Sequence, residues 1–385
     1  MERKVEKIIE RARKAIPSGI VRKLWVKSAG RCEYDSCNIS LWKDSLTHKD
    51  MNKAYISHII AAKEKGPRGD KELSEKFELK FENLMLLCDE CHNRIDESQK
   101  DIHSVIMLQN MKKEHEDRIE ILTDYKKDKK SQIVHYRANI GEHTPLVNYE
   151  VSRDALISNG YFPSSQNAID LGLENSPFRD KNATFWDIEL ENLTTKFEES
   201  IKPLLRKSQL NHISLFGIAP IPLLIKLGSL VNDIQNVRIY QPHRNPKTWE
   251  WLEHHSSLEF EVDRPSVIHQ KIALNLSLSA TINNDRIYEV LGRDCSIYTI
   301  TLKDTFNDIL KSYEQFVTFQ PIVQKLLNEI KYKHGQNNEI NVFPAMQSAF
   351  AIELGRIRMP KADLPFIIYD QIISNNPFVK TFKID

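Results

Sequence analysis

The sequence predicts a small α+β domain clipped by four cysteines, followed by a larger α/β domain. Three observations predict this. Cys32-x4-Cys37 and Cys88-x2-Cys91 are cysteine pairs at metal-ligand spacing near the amino terminus. Lys126-Lys127-Asp128-Lys129-Lys130 is a charged joint with no apolar residue. Beyond it, apolar strand-like runs alternate with helical ones, the pattern of a layered and mostly parallel sheet.

Bulk properties agree with this division. A chain of 385 residues is long enough for two or three domains, and 41% hydrophobic with 28% charged residues is ordinary for a globular protein. No run of 18 apolar residues occurs, so no membrane span is expected. The amino-terminal MERKVEKIIERARKAI is charged from its second residue and has no apolar core, which excludes a secretory signal. A cytoplasmic location follows as the expectation, and in a reducing compartment four paired cysteines hold a metal rather than form disulfides. The net charge of +1 hides an asymmetry: residues 1–30 carry nine Lys/Arg against three Glu. That basic segment suits nucleic-acid phosphates, although a solvated helix face has the same composition.

The elements of the first domain follow in order. Val5, Ile8, Ile9, Ala12 and Ile16 form a helical stripe over residues 2–16, stopped by Pro17 and Gly19. Residues 20–28 read as a second short helix. Residues 52–62 hold a short strand through Ser57-His58-Ile59 that runs into a loop. Lys65-Gly66-Pro67-Arg68-Gly69-Asp70 is a basic turn. Asn83 leads an apolar run into Cys88, residues 91–97 start a helix, and residues 102–122 continue helical.

In the second domain, strands are expected over residues 212–218, 237–240, 271–279, 297–301, 339–343 and 366–369. Helices are expected over 222–231, 306–313 and 346–355. Two blocks emerge, roughly 165–263 and 264–385. Each has a strand, a turn of small or proline residues, then a helix: Phe216-Gly217-Ile218-Ala219-Pro220 in one and Val342-Phe343-Pro344-Ala345 in the other. A degenerate internal duplication is the natural reading, though no strict repeat is visible.

The chemistry sits in the first domain. Cys32, Cys37, Cys88 and Cys91 make a closed, structural Zn²⁺ set. Cys88-Asp89-Glu90-Cys91-His92 also fits a c-type haem attachment motif, but that would leave Cys32 and Cys37 unexplained. Cys295 stands alone and reads as a core residue. Closing the clip leaves the strand bearing His58 and the segment bearing Asn83 between its arms, with His92 directly after the last cysteine. An imidazole suits a general base, and an amide oxygen with a second imidazole suits Mg²⁺ or Mn²⁺.

This order resembles the HNH (ββα-metal) endonuclease family over roughly residues 20–100. The resemblance implies catalytic roles for His58, Asn83 and His92, with His58 as the base. It implies a catalytic metal held by Asn83 and His92. Many members carry Asp or His before the base, where this chain has Ser57; Asp70 is a candidate substitute ligand. Lys65 and Arg68 are candidate DNA contacts.

The second domain shows no Walker loop, no GxGxxG after a strand and no Ser-His-Asp arrangement. Its tokens are Gly217-Ile218-Ala219-Pro220, Leu227-Gly228, residues 237–244, Trp249-Glu250-Trp251, residues 341–345, Glu353-Leu354-Gly355-Arg356 and residues 365–370. In order, and fused to the first domain, they resemble the SAVED domain, the sensor half of effector nucleases in bacterial CBASS anti-phage systems.

The resemblance implies two fused CARF/Rossmann-like halves that bind a cyclic oligonucleotide such as a cGAMP isomer. It further implies assembly into a homo-oligomer, a dimer or an activated tetramer, and degradation of double-stranded DNA. The expected boundaries are 1–124 for the nuclease domain, 125–131 for the linker and 132–385 for the sensor. Candidate nucleotide contacts are Tyr240, Trp249 and Trp251 for stacking, Arg244 and Lys271 for phosphates, and Phe343 with Pro344 at a strand end. An ungated restriction nuclease and a zinc-dependent DNA-binding sensor that does not cut are the competing readings.

Overall fold

The computed structural model describes residues 14–44, 46–124, 129–182, 184–207, 210–232, 236–253, 255–371 and 377–385. The helix expected over residues 2–16 lies outside them except for its last three residues, which lead irregularly into Pro17. The chain divides into two compact units, Met1–Tyr125 and Lys126–Asp385. No helix among the described residues is long and apolar enough to cross a membrane.

In the first unit, helix α1 (Ser18–Lys27) precedes strand β1 (Ala54–His58), helix α2 (Leu73–Phe77) and strand β2 (Leu84–Cys88). Helix α3 (Asp89–Asn93) runs into a π-helical turn, Arg94–Ser98, and the long helix α4 (Val105–Thr123) closes the unit. β1 and β2 form an antiparallel ribbon in which His58 faces Leu84 and Ser57 faces Met85. The core is small: Leu41, Ile59, Met85, Leu86, Leu87, Ile95 and Leu108 pack with Cys32, Cys88 and Cys91. A core this small gains from a metal staple.

The second unit is built from two sheets. The first has strands β3 (Lys130–Arg137), β4 (Phe162–Pro163), β5 (Ile169–Asp170), β6 (Ile213–Ile218) and β7 (Val237–Tyr240), all parallel to their neighbours. The second has β8 (Phe260–Asp263), β9 (Lys271–Ser277), β10 (Cys295–Leu302), β11 (Ile340–Ala345), β12 (Phe366–Asp370) and β13 (Val379–Ile384). Its order is β13-β12-β11-β9-β10-β8, with antiparallel strands only at the two edges. Helices α5 (Tyr149–Ser158), α6 (Phe185–Ser200), α7 (Lys202–Arg206) and α8 (Ile221–Leu230) belong to the first half. Helices α9 (Asn284–Leu291), α10 (Tyr313–Val317), α11 (Phe319–His334) and α12 (Ser348–Ile357) belong to the second.

The helix expected over residues 306–313 is not there. Asp308 accepts hydrogen bonds from the Arg244 and Asn245 amides and from Lys311 Nζ, so its segment is held as a loop. Ser312 and Gln315 form a capping box that starts α10 at Tyr313.

The duplication takes a definite form in three dimensions. β6 lies between β3 and β7, as β11 lies between β9 and β12. Residues 213–230 align without a gap on 340–357, and Ile225-Lys-Leu-Gly228 superimposes in sequence on Ile352-Glu-Leu-Gly355. The two helices that follow, α8 and α12, meet backbone to backbone. A Cβ on Gly228 would lie 1.9 Å from Ile352 O, and a Cβ on Gly355 would lie 1.9 Å from Ile225 O. Only glycine permits that approach. The crossing is reciprocal, each helix offering its glycine to the partner's isoleucine carbonyl.

Gly355→Ala is therefore expected to cost about 1–3 kcal/mol or more, since backbone rather than a flexible side chain must move. Gly19→Ala, whose Cβ meets nothing within 4 Å, should stay within about 1 kcal/mol of wild type. Urea denaturation of both variants measures the difference. Equal stability would mean that the crossing relaxes freely.

Candidate functional site

The four cysteines arrive from three places: Cys32 and Cys37 from the loop after α1, Cys88 from the end of β2, Cys91 from the first turn of α3. Their sulfurs all lie within 4.8 Å of one another. Cys37 Sγ and Cys88 Sγ are 3.9 Å apart, near the roughly 3.8 Å that a tetrahedron with Zn–S bonds of about 2.3 Å requires. The Cys88 amide donates to Cys32 Sγ and the Cys91 amide to Cys88 Sγ, each at 3.4 Å. Burial pushes the Cys32 thiol up to about 12 and raises that of Cys91 as well. Buried sulfurs that resist ionisation alone fit a site where a divalent cation supplies the compensating charge. The cluster is compatible with Zn²⁺ in geometry and in donor set.

His58 ends β1 and is buried. Its Nε2 lies 3.0 Å from Glu78 O. A carbonyl only accepts, so Nε2 carries the proton and Nδ1 is the basic nitrogen of the neutral ring. The ring is thus oriented and its tautomer chosen.

Asn83 corrects the expectation. Its amide is 2% exposed and closes on Ile60 from both ends, Oδ1 accepting from Ile60 N at 2.8 Å and Nδ2 donating to Ile60 O at 2.9 Å. A third bond reaches Phe77 O. Asn83 clasps the loop after β1 rather than facing a metal. Asp70 is also reassigned: its Oδ1 caps the Glu72 and Leu73 amides at the start of α2. Those two bonds, with Leu73 foremost, hold its carboxyl below the usual range.

Arg68 is no DNA contact. Its backbone turns left-handed at φ 55° and its guanidinium points inward. Nε donates to Ile59 O at 2.7 Å, Nη1 to Ile95 O at 2.6 Å, and Nη2 to Asp96 Oδ1 at 2.5 Å. Lys65 alone of the basic pair is exposed. Asp96 is the residue that sequence reasoning missed. Its other oxygen, Oδ2, is 3.5 Å from His92 Nε2, one helical turn away. His92 stacks on Tyr55 at 5.0 Å, and its Nδ1 is buried with no protein partner. Ser57 shares the Tyr55 side of β1 by strand alternation, and its hydroxyl is buried without a protein partner. Arg68 Nη2 also reaches His58 O at 3.4 Å, so His58, Arg68, Asp96 and His92 form one connected group. The spacing His92-x3-Asp96 was the available signal, since residues four apart on a helix meet.

In the second unit most of the expected nucleotide contacts are core. Tyr240 is fully buried and stacks on Phe216 at 4.3 Å. Trp249 meets the same Phe216 edge-on. Trp251 donates from Nε1 to Ile239 O at 3.1 Å. Phe343 stacks on Tyr369 at 4.6 Å, and Pro344 is buried beside it in β11. Tyr240, Trp249 and Phe343 are packed in the core, whereas Trp251, also mostly buried, borders a cavity of about 820 Å³ with Arg238 and Tyr313. Lys271 stands at the amino end of β9, where its Nζ donates to Leu291 O. That is the wrong end of the sheet for a ligand, because such sheets bind beyond the carboxyl ends of their strands. Arg244 is exposed just past β7 and is compatible with its expected role.

Comparison with known proteins bears on this unit. Residues 193–384 match the family model described as SMODS-associated and fused to various effectors sensor domain. Residues 193–384 are a SAVED domain. The matched segment begins inside α6, yet β3 pairs with β6 along its length, so the folded unit that holds the SAVED domain begins earlier. No curated protein matches the chain in sequence.

Three solved structures of an Acinetobacter baumannii Cap4 SAVED/CARF-domain containing receptor are similar in backbone. The one with the cyclic trinucleotide 2'3'3'-cAAA has a TM-score of 0.42 and 11% identity, over 71% of this chain and 54% of that one. The one with 3'3'3'-cAAA has a TM-score of 0.41 and 12% identity, over 72% and 60%. A further structure of the receptor gives 0.40 and 11%, over 82% and 60%. The chain thus spans 54–60% of the length of those receptor chains.

Two outcomes check the first unit. Cys32→Ser should lower bound zinc, measured by inductively coupled plasma mass spectrometry, and chelation should melt the first unit while leaving the second folded. Arg68→Lys should destabilise the first unit by about 3 kcal/mol, because a lysine cannot serve the two carbonyls and Asp96 together. An unchanged melting curve would remove Arg68 from its structural role.

Proposed function

We propose that this chain is a ligand-gated DNA endonuclease, an anti-phage effector in which a cyclic oligonucleotide on the SAVED domain releases the nuclease activity of the first unit. The observation that carries the reading is the fusion of a SAVED sensor domain to a cysteine-clipped ββα unit whose buried histidine is already oriented. His58, with Nε2 committed to Glu78 O, takes the proton of the attacking water on Nδ1. Asn83 keeps the His58 loop in place through Ile60. His92 and Asp96 would hold Mg²⁺ or Mn²⁺, an imidazole and a carboxylate one turn apart. When bound, that ion supplies Lewis acidity at the phosphate and at the leaving oxygen. Lys65, exposed on the loop after β1, meets the phosphate backbone.

Gating requires a ligand that binds the active arrangement better than the inactive one, since tight but indifferent binding shifts nothing. Assembly into a homo-oligomer that pairs two nuclease units on opposite strands would meet that requirement and would yield double-strand breaks.

The test incubates the protein with plasmid DNA and Mg²⁺, with and without a panel of cyclic di- and trinucleotides. Degradation only with a nucleotide, abolished in His58→Ala while nucleotide-driven assembly survives, is the expected result. Cleavage without any nucleotide would favour a restriction enzyme. DNA binding without cleavage under every condition would favour a non-cutting sensor. Wild-type cleavage by His58→Ala would sink the catalytic assignment.

A further inference from the structure

A polar pocket sits at the carboxyl end of β3. Its volume is about 270 Å³, room for a single base rather than a whole dinucleotide. Glu189 of α6 lines it, together with Ser176 and Arg137. Pro145, Leu146 and Leu173 supply apolar wall, and Leu146, 79% exposed, stands at the rim as a cover for a ring face. The wall is built closely: a Cβ on Gly172 would lie 2.5 Å from Arg137 O, so the loop that carries Leu173 and Ser176 presses on the end of β3.

The chemistry inside is unbalanced. Glu189 is fully buried, and neither carboxylate oxygen has a protein hydrogen-bond partner. The Ser176 hydroxyl and the Tyr136 hydroxyl are likewise buried without one. Burial raises the Glu189 carboxyl to about 7, and Ser176, near it but outside hydrogen-bond geometry, and Lys196 pull the other way. Lys196, the nearest cation on the same helix, spends its ammonium on Gly172 O at 2.6 Å. Arg137 is bridged to Asp170 at 3.2 Å. A buried carboxylate left like this costs stability, and groups of this kind concentrate where a ligand completes them.

Ionised, the Glu189 carboxylate has two acceptor oxygens and no donor, so its complement is a pair of adjacent N–H groups, whose binding favours that ionised form. Among the nucleobases only guanine presents such a pair, N1–H beside the N2 amino group. Adenine and cytosine set one amino group next to a ring acceptor that would repel the carboxylate. We propose that the Glu189 pocket is a base-reading subsite that selects a guanine in the ligand of the SAVED domain. Its position suits that role, because it lies at the carboxyl end of a parallel strand, whereas the expected aromatic contacts are core. The proposal rests on the nucleotide-sensor reading above.

The experiment measures, by isothermal titration calorimetry, binding of a cyclic GMP–AMP dinucleotide, a cyclic di-AMP of the same linkage and guanosine 5′-monophosphate. The proteins are wild type and Glu189→Gln, with thermal melting to verify that both are folded. Glutamine keeps the shape but replaces one acceptor by a donor. The expected result is at least a ten-fold loss for the two guanine ligands in Glu189→Gln and no loss for the adenine ring. A loss shared equally by all ligands, or no loss for any, overturns the subsite. Tight binding of cyclic di-AMP alone, independent of Glu189, overturns it while the sensor reading stands. Failure of wild type to bind any of the three overturns the subsite, and the sensor reading falls with it only if no cyclic di- or trinucleotide of the wider panel binds either. A variant that unfolds is replaced by Leu173→Phe, which fills the pocket mouth and should weaken the guanine ligands alone.

Discussion

Two glycines facing two carbonyl oxygens organise the larger unit. Gly228 on α8 and Gly355 on α12 let the helices touch through their backbones, each against the other's isoleucine carbonyl. Each helix follows the central strand of its own sheet, β6 or β11. The helix crossing therefore ties two strand–turn–helix repeats into one core, in which residues of both halves pack together. A side chain at either glycine would push the halves apart, and everything positioned at the strand ends would move with them.

The smaller unit depends on a different constraint. Its apolar core is too small to position a buried histidine by packing alone. Four sulfurs, the Asn83 clasp on Ile60 and the Arg68 staple on Ile59, Ile95 and Asp96 hold the ribbon and its following helix together. Residues that look like surface chemistry in the sequence are in fact this scaffold. Arg68 is drawn inward because the loop around it is tight: a Cβ on Gly69 would lie 2.3 Å from Glu64 O. In the proposed nuclease, His58, His92 and Asp96 are the groups left to carry the chemistry.

Each unit holds a buried polar group without a protein partner beside its proposed site. The Glu189 carboxylate waits at the carboxyl end of β3, and His92 Nδ1 waits at the junction of α3 and the π-turn. Other buried polar residues are satisfied in pairs, such as Ser131 with Ser214 and His135 with Ser152.

Local pattern made much of this legible. Cysteine spacing located the four-cysteine cluster, apolar runs bounded by turns located β6, β7, β11 and β12, and a strand–turn–helix pattern seen twice hinted at duplication. β3 escaped because Ser131, Gln132 and His135 interrupt its apolar run; their partners lie on distant segments. The helix expected over residues 306–313 failed because Asp308 bonds to the loop after β7, 63 and 64 residues away in the sequence. Composition and spacing thus determined that a four-cysteine cluster with flanking histidines precedes an α/β domain. Only tertiary structure decided which polar side chains point inward. The direction of an arginine, an asparagine or a tryptophan is set by which carbonyls and rings the fold brings beside it, and no local pattern encodes those neighbours.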